Sequence, residues 1–171
     1  WSTATWLDDG AMATLWATIF GFTKVIDLSS ESMVTLQERM VHLTEQLSMP
    51  LIEVSLIINR WIKALMARLE ELADEHDESL PETVTSPIPL KDNNNESNNF
   101  NYDLERDLKM VDDDRMDILD TLIRVTIEEE KLSLMSALLF MRNWEYEMRK
   151  RLEQVQRPGQ LFSPVTFEDG F

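Results

Sequence analysis

Cysteine is missing from the chain altogether, glycine occurs only four times and proline six. Without thiols there is no disulfide framework, no zinc–thiolate site and no cysteine nucleophile, and the absence fits a reducing, intracellular compartment. No glycine lies between Gly21 and Gly159, which removes the glycine-rich loops that cradle phosphates. The acidic run Asp112–Asp114 likewise has no glycine to form a calcium loop. Basic residues are also scarce, 16 against 32 acidic ones, for a net charge of -16. Phosphate-backbone binding needs a positive face to release counterions, so no direct contact with nucleic acid is expected. An anionic membrane surface is disfavoured for the same reason. An uncharged run from Gly10 to Phe22 (GAMATLWATIFGF) falls short of the roughly 20 apolar residues that cross a bilayer, so a membrane protein is not expected.

Against these absences stand two dense apolar segments, Leu51 to Met66 (LIEVSLIINRWIKALM) and Leu132 to Trp144 (LSLMSALLFMRNW). Both are hydrophobic nearly all the way round a helix, and such a helix needs neighbours on every side, from its own chain or another. A chain of 171 residues is long enough for one domain with a core of its own.

Helical periodicity runs through the whole sequence and predicts an all-α bundle of four to five helices in a single domain. A first helix is expected over about 11–28, with Asp8 and Asp9 at its positive end. Ser29 and Ser30 offer N-caps for a second, over 31–48, whose apolar stripe is Met33, Leu36, Met40, Leu43 and Leu47. Pro50 suits a first helical turn, with Ser48 as cap, and opens a third helix over 49–76. Its stripe is Leu51, Val54, Ile58, Trp61, Leu65 and Leu72, with Arg68 in one apolar place. From 77 to 102 the composition turns polar, with three prolines and an asparagine-rich run, and predicts a flexible, disordered loop.

Beyond the loop, Asp103 is placed to cap a helix reaching Gln156. Leu104, Leu108, Val111, Ile118, Leu122, Val125 and Leu132 form one series, interrupted by Arg115 and Glu129. Leu134, Leu138, Met141, Met148, Leu152 and Val155 form a second, interrupted by Glu145. The two are out of phase by about 200° on a continuous helix. Either the chain folds back near Glu128 to Ser133, or one rod of about 53 residues, roughly 80 Å long, shows opposite faces to different neighbours. With neither glycine nor proline between Asp103 and Gln156, the rod is the expectation, with any kink near Glu130.

Patterns that carry chemistry are few. The Glu-x-x-His pairing of di-iron bundles is absent at both histidines. Glu38, His42 and Glu45 share a helix face, which as a metal site would need further ligands. No catalytic residue, cofactor or metal is assigned. The tail over 157–171 (RPGQLFSPVTFEDGF) combines aromatic anchors with carboxylates, as docking peptides do.

The sequence thus points to a non-enzymatic protein–protein interaction or assembly subunit, binding a protein partner or forming a homo-oligomer through coiled-coil-like packing. The candidate partner-binding residues are Leu134, Leu138, Met141, Trp144 and Met148 at the phase change, and Leu161, Phe162, Phe167 and Phe171 in the tail. Two other readings stand beside it: an acidic decoy whose carboxylates imitate nucleic-acid phosphates for a basic DNA-binding partner, and a carboxylate metal enzyme.

Overall fold

In the computed structural model, residues 26–91 and 108–168 are described, and within them the chain is helical without strands. Helices α1 (Ile26–Gln46), α2 (Leu51–Glu75), α4 (Asp113–Glu129) and α5 (Leu134–Glu153) form a bundle. A single turn, α3 (Glu82–Thr85), and a 3-10 turn (Pro158–Phe162) lie against it. The principal contacts are α2 with α5 and α1 with α4. Ser32, early in α1, bonds the carbonyl of Glu130 at the end of α4, while α2, which follows α1, meets the first turn of α4. Hence α1 and α4 run antiparallel.

Apolar periodicity accounts for the core. Leu36 and Met40 of α1 are buried, and Met33, Leu43 and Leu47 pack against the core. The opening of α2 is buried all round, from Leu51 through Val54, and Ile57, Ile58 and Ile62 continue inside. From α5 come Met135, Leu138, Phe140, Met141, Trp144 and Met148.

Three of the four long helices end in the same way. At the end of α1, Ser48 N–H donates to Glu45 (3.0 Å) and Met49 N–H to Thr44 (2.9 Å). At the end of α2, Asp77 and Glu78 donate to Asp74 and Ala73; after α4, Lys131 and Leu132 donate to Glu128 and Ile127. These paired bonds form the Schellman motif, whose key residue takes a left-handed backbone and is usually glycine. Here that residue is Ser48 (φ 49), Asp77 (φ 56) or Lys131 (φ 51).

The last of these stops overturns the expected rod. The chain leaves α4 at Glu130, turns through Lys131, and starts α5 at Ser133, whose hydroxyl accepts the Ser136 N–H at 3.1 Å. A second interruption at Lys109–Asp112 precedes α4, whose cap is Asp112. The expected cap at Asp103 lies outside the described residues. Folding back is the better solution physically, because it brings the second apolar series inward where a straight rod would leave it facing away.

Three smaller expectations are also corrected. α1 runs unbroken through Ser29 and Ser30, since neither glycine nor proline interrupts the chain there. Of the helix expected over 11–28, the residues before Ile26 lie outside the described part. Ser48 ends α1 and does not cap α2; Pro50 holds that place, extended at φ -72 and ψ 154. The first part of the expected disordered loop, 77–91, is ordered on the bundle: Val84 is buried, Arg142 holds the Thr85 carbonyl at 2.9 Å and Arg149 holds that of Ile88 at 2.7 Å.

Candidate helix-binding face

Helix α4 has two apolar rows, and the bundle buries one of them while leaving most of the other outside. Met116, Leu119 and Ile123 are buried, with Thr126 beside them and Ile127 packed against the core. Beside that row, Ile118 and Val125 stand 47% and 39% exposed, with Leu122 half-buried between them and packed against the edge of the core. Their spacing of four then three residues sets them in one straight seam along the helix. Exposed Asp114, Asp117 and Glu128 flank the seam on one side, together with Arg124. Met110, 59% exposed, projects from the turn that leads into α4.

What holds α4 in this orientation is a buried charge. Glu53, 0% exposed in the first turn of α2, accepts the Asp112 N–H and a guanidinium N–H of Arg115, each at 2.8 Å on Oε1. Among the described residues its Oε2 has no hydrogen-bond partner. The hydrogen bond to Glu53 raises the Arg115 pKa above its already high ordinary value, against the opposing effect of burial. At the other end of α4, Arg39 of α1 bonds Glu129 at 2.6 Å and Thr126 at 3.2 Å. That hydrogen bond to Glu129 likewise raises the Arg39 pKa. Both guanidiniums therefore stay charged wherever the fold persists.

Every charged residue that interrupts an apolar series is paired. Arg115 meets Glu53, Glu129 meets Arg39, Glu145 meets Arg142 and Arg68 meets Glu71.

The candidate partner-binding residues are placed differently from the seam. Leu138, Met141, Trp144 and Met148 lie in the core, and Leu134 is half-buried against it. Trp144 donates its indole N–H to Gln37 at 2.6 Å. In the tail Leu161 is buried and Phe162 half-buried; the Phe167 ring lies 5.2 Å from that of Trp144 and under the Arg151 guanidinium at 5.3 Å. Val165 N–H donates to Met49 O (2.9 Å) and Leu51 N–H to Ser163 O (3.2 Å), so the tail also occupies a free amide at the start of α2. Through residue 168 the tail thus packs on its own bundle, and Phe171 lies outside the described residues.

A groove of about 490 Å³ opens between α2, α5 and the 3-10 turn, and a second of about 420 Å³ between α2 and the approach to α4. Leu56 and Asn59 line both. Glu38, His42 and Glu45 are exposed, and among the described residues no three His, Asp or Glu side chains are grouped to hold a metal. None of the helices among the described residues is long and apolar enough to cross a membrane. Comparison with protein-family models, curated proteins and solved structures finds no match.

Proposed function

We propose that this chain is a non-enzymatic interaction subunit that receives a basic amphipathic helix on the outer face of α4. The observation that carries the reading is the seam Ile118, Leu122 and Val125: apolar, spaced for helix-on-helix packing, with Ile118 and Val125 exposed and Leu122 half-buried at the edge of the core. Charge selects the partner. The carboxylates beside the seam favour lysine or arginine at the flanking positions of the incoming helix, and the net charge of -16 speeds encounter with a basic partner.

A second copy of the chain fits less well. Packed in parallel, each flanking carboxylate meets itself; packed antiparallel about Thr121, Asp114 comes level with Glu128, and only Asp117 with Arg124 offers an opposite pair. The decoy reading has less support, because Asp112 is used as a cap and Glu129 is tied to Arg39.

Two synthetic helices with leucine at the seam positions, one flanked by lysine and one by glutamate, provide the test. The lysine peptide is expected to bind with one-to-one stoichiometry, to lose binding to an Ile118→Asp, Val125→Asp chain, and to keep part of its affinity at raised salt. Equal binding of the glutamate peptide, an unaffected double variant, or a wild-type chain that already dimerises through α4 would overturn the proposal.

A further inference from the structure

We infer that the groove between α2, α5 and the 3-10 turn binds a single-chain aliphatic ligand with an anionic head, the head resting on Arg149. The inference is independent of the α4 seam. At about 490 Å³ the groove lies in the lower half of the range for small-molecule sites, room for one alkyl chain. Its wall is made largely by Ile52, Leu56, Met148, Leu152 and Leu161, an apolar surface suited to methylene groups.

The polar groups at the rim decide the head. Ser55 donates its hydroxyl proton to Leu51 O at 2.7 Å, and Glu145 is tied to Arg142 at 2.9 Å, so neither directs a free charge into the groove. Arg149 differs. One of its N–H groups reaches the neutral carbonyl of Ile88, and among the described residues no carboxylate stands within ion-pair distance of it. A guanidinium has five N–H donors, which leaves donors for an anion. In a chain with twice as many acids as bases, a cation held by a carbonyl beside an apolar groove is a built place for a negative head. Asn59, also lining the groove, offers a neutral donor.

Carboxylate and phosphate heads share this chemistry, and the experiment separates them. The full chain is titrated with dodecanoate, dodecyl phosphate and dodecan-1-ol, each below its aggregation threshold, by calorimetry and by methionine methyl NMR. One equivalent of an anionic ligand is expected to bind, shifting the Met148 methyl signal and leaving that of Met33 in place. The stronger of the two anions identifies the head. The alcohol should bind about tenfold more weakly, as should dodecanoate to Arg149→Gln, since a charge-assisted bond is lost. Arg149→Lys should retain most of the affinity, and Leu56→Trp, which fills the groove from a half-exposed position, should abolish binding of all three. Alcohol binding as tight as that of the anions, uptake of several equivalents, an unmoved Met148 signal, or an Arg149→Gln chain that folds and binds normally would overturn the inference.

Discussion

Replacing Arg115 with methionine removes the side-chain partner of a carboxylate that has no contact with water. Glu53 is 0% exposed, and after the substitution it keeps only the Asp112 N–H on Oε1, while Oε2 still has nothing. Breaking a buried ion pair from one side costs roughly 3 to 5 kcal/mol. The Arg115 side chain is 32% exposed, so water reaches its side of the pair, and the lower end, about 3 kcal/mol, is expected. The longer contact of Arg115 with Asp112, 3.6 Å to a half-exposed carboxylate, adds under about 1 kcal/mol. With a urea slope of about 2 kcal/mol/M, the unfolding midpoint followed by circular dichroism should fall by roughly 1.5 M. The double variant Glu53→Met, Arg115→Met places two apolar side chains where the pair was and should recover most of the loss, roughly 2 kcal/mol of it. A loss below about 1 kcal/mol for Arg115→Met, or a double variant less stable than Arg115→Met, would refute the idea that this pair fixes α4 on α2.

Glycine at Ser48, Asp77 or Lys131 relieves a left-handed backbone, so each substitution should raise stability by about 0.5 to 1 kcal/mol, and the three, being far apart, should add; a destabilised Lys131→Gly would contradict the turn between α4 and α5. Ser133→Ala removes the cap of α5 and should cost about 1 kcal/mol in the same denaturation assay. Ile118→Asp with Val125→Asp should leave the unfolding midpoint nearly unchanged, within about 0.5 kcal/mol per site, because neither side chain is in the core. Trp144→Ala, which empties a buried site between Phe140 and Phe167 and strands Gln37, should cost about 3 to 5 kcal/mol and render the segment after Val155 sensitive to limited proteolysis.

Apolar periodicity made the helices of the bundle legible, and the segment from Leu51 onward was recognisable as buried on all sides. Where the helices stop was much less so. Sequence reading looks for glycine and proline at helix ends, and here serine, aspartate and lysine occupy the left-handed positions. Those residues pay a local strain that only tertiary packing makes worthwhile, with Met49 and Leu132, the residues just beyond two of the turns, both buried. The fold-back was nevertheless signalled, since the phase jump between the two apolar series falls at Glu130 to Ser133. The tail could not be judged from composition, because aromatic side chains that dock on a partner and ones that stack on Trp144 look alike in one dimension.

The outer seam of α4 is instructive because it is the stripe that periodicity alone selects as the inner face. Two alternatives compete along the same helix. One row runs Ile118, Leu122 and Val125, bounded by Arg115 and Glu129; the other runs Met116, Leu119, Ile123 and Ile127 and holds no charge. Rolling α4 to bury the first row would draw a guanidinium and a carboxylate inward, and desolvating each ion costs several kcal/mol. The observed roll leaves both at the edge, where Glu53 and Arg39 meet them. An uncharged row is therefore the stronger core signal than a row with ionised interruptions. The interrupted row is left mostly outside, with Ile118 and Val125 exposed and Leu122 at the edge of the core, still in helical register.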